Sequence, residues 1–364
     1  DTSRSRSASN GMRIAIDISP LTSGNFLQHR VRGTGFYLKN LKESLLKYYL
    51  DNEYEFFNRQ EKIKIEPDII HYPYFEPYFL TLPSNVSGNN VVTVHDLTPL
   101  VFKNEFPAGV RGEIKWIIQK KRLKRVGAII TDSNSSKKDI NKFSGIDNSK
   151  IHVVYLAAAS YFTQIPEEKK REIIKKFNLP EDFVLYVGDA TWNKNLPGLI
   201  KAISKTGSHL VIAGAAFANE SFDRSNMWNK DLAKSQELAK QNKRIISTGF
   251  VDNDDLVALY NAAKLFVMPS FYEGFGLPVL EAMSCGCPVI TSHKGSLPEV
   301  AGEAAYFVDP NDINSIASGI TNVMGNIDLR KELSKKGLEQ SRKFSWKKTA
   351  QDTIYVYKKI LDKK

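Results

Sequence analysis

Cysteine is nearly missing from this sequence, with two residues in 364. That excludes a disulfide scaffold and points to a reducing compartment. Cys285 and Cys287 form a lone C-x-C, with no second pair to complete a zinc site. No apolar run reaches the roughly 18 residues of a membrane-spanning helix. No tandem repeat occurs, and nothing of low complexity follows residue 11. Acid is in deficit: 40 Asp+Glu stand against 51 Lys+Arg, a formal net charge of +11. Such a balance suits nucleic acid, acidic lipid or phosphorylated substrates without choosing among them. What is present is enough apolar material for real cores, 42% hydrophobic and 11% aromatic, which excludes a mainly disordered chain. At roughly 150 residues per domain the length suggests two.

Residues 1–11 are Ser/Arg-rich and precede Met12. They read as an expression scar or a disordered tail and lack the apolar core of a signal peptide. From residue 12, short apolar runs bounded by turn residues read as buried parallel strands: Met12–Ile18, Asp68–His71, Val91–His95, Ala128–Thr131 and His152–Tyr155. Helical patterns lie between them at Tyr37–Leu50 and 111–125. Residues 163–180 are charged and bracketed by prolines, as in a linker with one short helix. Alternation then restarts with strands at Phe183–Val187, His209–Ala213, Arg244–Thr248, Leu265–Met268 and Pro288–Thr291. Helices are expected at Leu196–Ile203, Asp254–Ala263 and Leu277–Met283. The plain reading is two doubly wound α/β domains, 12–165 and 166–345. A C-terminal amphipathic helix in 346–364 would return to the first. Ligands of such sheets bind outside the carboxyl ends of the strands, so a cleft between the domains is the expected site.

The richest stretch is Ser270-Phe-Tyr-Glu-Gly-Phe-Gly-Leu-Pro-Val-Leu-Glu-Ala-Met-Ser-Cys-Gly-Cys-Pro-Val-Ile. A strand ends before it, and a loop with Gly274 and Gly276 leads into a helix with Pro278 in its first turn. Free backbone N–H groups and the positive end of the helix dipole make an anion site there. Glu273 and Glu281 flank the turn. A pure phosphate site would avoid two carboxylates, whereas a sugar nucleotide would use them to accept hydrogen bonds from hydroxyls. A capped helix with two surface acids is the plain alternative.

This stretch resembles the E-x7-E region of glycosyltransferase family 4, the retaining GT-B enzymes. Tyr186-Val-Gly-Asp-Ala-Thr-Trp-Asn-Lys-Asn-Leu, Gly249-Phe-Val-Asp-Asn-Asp-Asp-Leu, Val94-His-Asp-Leu-Thr-Pro, Gly33-Thr-Gly and Leu297-Pro-Glu-Val-Ala-Gly also resemble family elements, in order across residues 12–310. The resemblance implies an α/β GT-B fold, two Rossmann-like domains facing across a cleft, with the acceptor on the first and the nucleotide-sugar donor on the second. It implies a hexosyltransferase acting with retention, with GDP-mannose as the favoured donor. The acceptor would be a saccharide or an undecaprenyl-type lipid-linked sugar in polysaccharide or O-antigen assembly. The enzyme would be cytoplasmic, at the inner face of the cell membrane. By the same resemblance, Gly274, Phe275, Gly276 and Leu277 hold the donor pyrophosphate, Glu281 binds ribose hydroxyls, and Glu273 contacts the donor sugar. Lys194 neutralises the departing phosphate, a growing charge that a cation and a helix terminus stabilise. His95 lies beside the donor sugar, and Gly33, Gly35, Asn193, Phe250 and Val251 are further donor contacts. No cofactor and no metal are expected. One departure is plain: the family commonly sets Arg before the lysine, and this chain has Asn193.

Three further features have competing readings. Asp252-Asn-Asp254 spells the D-x-D metal signature of another glycosyltransferase fold, but its place before a helix favours N-capping. Lys205-Thr-Gly reads as a turn. Residues 111–125 hold seven Lys/Arg with Ile114, Trp116, Ile117 and Leu123, either a domain helix with a basic face or an anchor on an anionic membrane surface. His71 could line the cleft. Rivals to the transferase are a sugar-nucleotide epimerase or a glycosyl phosphorylase on the same fold. From another class comes a non-catalytic basic protein binding membrane or nucleic acid, the latter disfavoured because no stacking array accompanies the cations.

Overall fold

Runs of branched and aromatic residues form twelve strands in two parallel sheets in the computed structural model, which describes residues 11–21 and 31–362. The chain divides into two units. The first comprises the residues up to Leu97, then Ala108–Tyr155, then those from Trp346 onward. The second comprises Thr98–Pro107 and Leu156–Ser345. The boundary thus falls ahead of the expected linker, whose helix, Glu167–Lys176, belongs to the second unit.

The first sheet holds β1 (Arg13–Asp17), β2 (Glu53–Phe57), β3 (Ile69–Tyr72), β4 (Asn90–Thr93), β5 (Ala128–Thr131) and β6 (Ile151–Val153) in the order β2-β1-β3-β4-β5-β6. β4 and β5 are buried along their whole length, as parallel strands covered by helices on both faces must be. The helix Val31–Tyr48 buries Tyr37, Leu38, Leu41 and Leu45 completely. It starts six residues before the expected Tyr37, so Gly33 and Gly35 lie within its first two turns rather than ahead of it. Glycine costs a helix about 1 kcal/mol against alanine. Four buried apolar side chains outweigh that, at roughly 1.5–3 kcal/mol each.

The basic helix spans Gly109–Leu123 and the C-terminal helix Trp346–Leu361. The latter is tied into the first unit by side chains. The Thr349 hydroxyl donates to the Tyr155 carbonyl at 2.6 Å. The Tyr357 hydroxyl lies 2.7 Å from Nδ1 of His71, whose Nε2 lies 2.8 Å from the Thr93 hydroxyl. Tyr37 adds its own hydroxyl to Thr93 at 3.1 Å. His71 is fully buried and burial holds its pKa down at about 3, so it is a neutral core residue and lines no cleft.

The second sheet holds β7 (Phe183–Val187), β8 (His209–Ala213), β9 (Ile245–Gly249), β10 (Leu265–Met268), β11 (Val289–Ser292) and β12 (Tyr306–Val308), ordered β12-β11-β10-β7-β8-β9. The core against one face joins Val184, Tyr186, Leu199, Ile203, Leu210, Val267 and Ile320. Strand order reverses between β7 and β10, and a doubly wound sheet opens a crevice at the carboxyl ends of such a pair. The sequence reading did not place β2 or β12, one edge strand of each sheet.

Tyr357→Phe should lower the stability of the first unit by about 1–3 kcal/mol, because it leaves a buried imidazole nitrogen without a partner. Urea denaturation followed by fluorescence measures this; an unchanged midpoint would remove the network from the account of the core.

Candidate functional site

The loops that follow β7 and β10 meet at the switch point. Three consecutive residues of the first loop reach the second. The Asn193 amide donates to the Tyr272 carbonyl at 3.0 Å, and its own carbonyl accepts from Phe271 N–H at 2.8 Å. The Lys194 ammonium donates to Oε2 of Glu273 at 2.7 Å. The Asn195 amide donates to the carbonyls of Pro269, at 3.2 Å, and Pro310, at 2.7 Å. Asn195 adopts the left-handed backbone (φ 55°) between the Trp192–Lys194 turn and the helix Leu196–Thr206. Asparagine is one of the few residues that tolerate that conformation.

Both ends of the Asn193 amide are engaged within the protein, since Oδ1 also accepts from the Thr191 hydroxyl at 2.8 Å. In this arrangement it fastens a loop.

Glu273 is held at both oxygens. Ser270 donates its hydroxyl to Oε1 at 2.7 Å, opposite the lysine on Oε2. The side chains of Lys194 and Glu273 are 19% and 8% exposed, so the pair is largely dry. Behind the loop, the Ser296 hydroxyl donates to the carbonyls of Glu273 and Phe275 at 2.9 and 2.8 Å. Gly295 approaches so closely that a β-carbon there would lie 2.7 Å from the Glu273 carbonyl. Gly276, at φ 99°, turns the chain into the helix Leu277–Ser284 and has no side chain to cap the N–H groups of its first turn. Gly274, Phe275, Gly276 and Leu277 therefore come together with Glu273 and Lys194 around a helix N-terminus, where backbone donors and the dipole favour an anion. Ser270 and Ser296 were not singled out from the sequence, because a serine carries no signal until its acceptor is known.

Glu281 sits one turn into that helix, 8% exposed, with Oε2 accepting from the Tyr260 hydroxyl at 2.9 Å. Burial raises its pKa to about 7. Phe250 and Val251 follow β9, Phe250 72% exposed and Val251 half-buried. Asp252 caps the helix Asn253–Ala262 by accepting from Asp255 N–H at 2.8 Å, which accounts for the D-x-D as a helix start. Lys205-Thr-Gly is likewise a helix end, with Gly207 in the left-handed C-cap position. An aromatic cluster flanks the two loops. Trp192 stacks on Phe271 (4.8 Å between centroids), and Phe102 packs against Trp192 at 4.9 Å and Tyr272 at 5.4 Å. Phe106 joins Trp192 and Trp228.

Gly33, Gly35 and His95 belong to the first unit. His95 follows β4, its ring edge-on to Tyr37 at 4.9 Å. Its Nδ1 lies 2.7 Å from Oδ2 of Asp132, at the end of β5. Burial pulls the imidazole pKa down, but the charge and hydrogen bond of Asp132 outweigh it, with Asp96 and the Pro73 carbonyl assisting, and the net shift is upward. Asp132 escaped the sequence reading because the two residues are 37 apart and only the parallel pairing of β4 with β5 makes them neighbours.

Comparison with known proteins identifies the family and the fold. Residues 168–340 match the family model described as glycosyl transferases group 1, and residues 19–157 that described as glycosyltransferase family 4. The chain is 31% identical over 301 residues to O-antigen chain mannosyltransferase B of Escherichia coli, covering 80% of this chain and 75% of that one. It is 31% identical over 310 residues to the serotype-specific mannosyltransferase WbdA of Escherichia coli, covering 82% of this chain. The match spans only 37% of that relative's length. Sucrose-phosphate synthase from Thermosynechococcus elongatus shares the fold with a TM-score of 0.76, at 19% identity over 97% of this chain and 100% of that one. The lipopolysaccharide glycosyltransferase WaaG does so with a TM-score of 0.67, at 11% identity over 93% and 98%. At such identities the likeness shows the fold alone, and that fold is GT-B.

Glu281→Gln tests the buried carboxylate by linkage. A group whose pKa rises from 4.5 to about 7 on folding binds more protons folded than unfolded in that window, so its contribution to stability falls as pH rises. The variant lacks this dependence. Its stability relative to the parent should grow by about 3 kcal/mol between the two pH values, read from paired denaturation curves. A difference that stays flat with pH would place the Glu281 pKa in the ordinary range.

Proposed function

The chain belongs to the group 1, family 4 glycosyltransferases, and on that footing we propose that it moves a hexose from a nucleotide-diphosphate sugar to a hydroxyl acceptor with retention at the anomeric carbon. GDP-mannose is the favoured donor, and a saccharide or lipid-linked sugar of polysaccharide or O-antigen assembly is the favoured acceptor. The observation that carries the reading is the meeting of Lys194, Glu273 and the N-terminus of the helix Leu277–Ser284 at the switch point. A diphosphate needs a cation and N–H donors, and a hexose needs carboxylate acceptors; this constellation offers both. The named mannosyltransferase relatives support the choice of sugar.

In the proposed reaction the bond from the anomeric carbon to the phosphate oxygen breaks while the acceptor oxygen bonds to that carbon on the same face. The acceptor proton passes to the departing phosphate oxygen. Lys194 and the helix terminus stabilise the charge that grows on the phosphate, so no metal is required. Glu273 orients the hexose through its hydroxyls, and Glu281 accepts from ribose hydroxyls in its ionised form. The family resemblance gives His95 a catalytic role beside the donor sugar.

A membrane surface is the second element of the proposal. On the helix Gly109–Leu123 the exposed face carries Val110, Ile114 and Ile117, which are 79%, 52% and 54% exposed at helical spacing. Exposed Arg111, Lys121, Lys124 and Arg125 flank them. An apolar stripe bordered by cations suits an anionic bilayer. No helix among the described residues is long and apolar enough to cross one.

Lys194→Ala and Glu273→Ala should each lower turnover at least about a hundredfold, and Lys194→Ala should also lower the melting temperature, because it leaves the buried Glu273 carboxylate without its cation. The assay is release of nucleoside diphosphate from a panel of nucleotide sugars with a saccharide acceptor. Turnover that survives both changes would refute the site, and strict dependence on a divalent ion would revive a metal-based reading. Ile114→Asp with Ile117→Asp should abolish sedimentation with vesicles of acidic lipid, and salt should weaken binding of the parent. A parent that ignores such vesicles ends the membrane element.

A further inference from the structure

We propose that the Lys194–Glu273 ion pair is a lock by which the site tells an intact nucleotide sugar from the nucleoside diphosphate that remains after transfer. The proposal rests on the donor reading given above. The ammonium that should serve the diphosphate is paired with Glu273 Oε2 at 2.7 Å, and Ser270 holds Oε1 at the same distance. With 8% of the Glu273 side chain exposed, drawing the lysine away leaves a buried carboxylate oxygen without a donor, a state that folded proteins strongly disfavour.

A bare diphosphate that recruits Lys194 meets that penalty in full. An intact donor does not, because a hexose hydroxyl can donate to Oε2 in place of the ammonium. The two halves of the donor therefore assist each other through one shared carboxylate, a coupling that is reciprocal by thermodynamic necessity. Once the anomeric bond has passed to the acceptor, the hydroxyl leaves with the product sugar. Lys194 then returns to Glu273, and the diphosphate loses its cation at the moment it has to depart. Glu273 in this account promotes release as well as binding the sugar.

The surroundings fit an exchange of partners by one side chain. Asn193 and Asn195 fasten the backbone on either side of Lys194 to the β10 loop, so the ammonium can swing while the loop stays still. Ser270 fixes Oε1, which makes Oε2 the oxygen that changes partner. Four flexible bonds separate the lysine charge from its anchored backbone, a reach that arginine's rigid fork would not use in the same way.

The test uses the full chain and inorganic pyrophosphate, a probe that carries neither base nor sugar, in isothermal titration. Glu273→Gln keeps the size of the side chain and an acceptor for Ser270 but loses the charge that holds the ammonium. Glu273→Ala is read beside it, each variant first shown to melt as the parent does. Both should bind pyrophosphate about tenfold more tightly than the parent, and the gain should vanish when Glu273→Gln is made on a Lys194→Met background. A gain that persists without the lysine would reflect general repulsion between acid and anion and would overturn the lock, as would unchanged or weaker binding in the two variants. Pyrophosphate that binds neither parent nor variants would overturn the phosphate site itself, and the donor reading with it.

Discussion

Everything at the candidate site depends on one suture: the loop after β7 sewn to the loop after β10 by three successive residues. Asn193 takes a carbonyl, Lys194 a carboxylate, and Asn195 two more carbonyls. The strands themselves are ordinary neighbours in a parallel sheet, and a sheet fixes strand ends but not the loops beyond them. Buried amide-to-carbonyl bonds do that here, because carbonyls that leave a strand still need partners when water is excluded. Asn195 is in the left-handed region, between the turn that carries Lys194 and the helix Leu196–Thr206.

The site also resolves a tension between anion binding and acidity. Two carboxylates stand close to a turn suited to phosphate, and each is tied to a partner inside the protein. Glu273 is neutralised by Lys194. Glu281 is buried against Tyr260 with its pKa near neutrality. The electrostatic field at the helix N-terminus therefore remains favourable to a phosphate in a region that a count of residues would score as acidic. Pairing with Lys194 at Glu273 and burial at Glu281 weaken the opposition of the two acids to the dipole.

Much of this was legible in the chain. Phe183–Val187, His209–Ala213 and Leu265–Met268 were readable as strands to the residue, since buried parallel strands leave continuous apolar runs. One edge strand of each sheet was not: Glu53–Phe57 is only partly buried and carries two glutamates, and Tyr306–Val308 is short and only partly buried. The turn at Gly276 and the helix behind it were readable because glycine and proline have positional meaning there. Gly33 and Gly35 misled for the opposite reason, as the packing of Tyr37, Leu41 and Leu45 carries the helix through them. The role of Asn193, the anchoring of Glu273 by Ser270, and the pairing of His95 with Asp132 all lie in side-chain contacts between segments brought together by strand order. No local pattern encodes them, and Asn193 in particular looked like a lost cation when read alone.

The path of the chain through the two units has a practical corollary. Thr98–Pro107 belongs to the second unit although the residues on both sides of it belong to the first, and it brings Phe102 and Phe106 to Trp192, Tyr272 and Trp228. A fragment cut at the apparent boundary, beginning near Leu156, would lack those two rings and would expose three aromatic side chains to water. It would also lose the partner of Trp228, whose indole N–H donates to the Pro107 carbonyl at 3.3 Å. Dissection into halves is therefore the wrong way to isolate the donor-side module. A graft that carries the ten-residue strap along with it preserves the module's own surface.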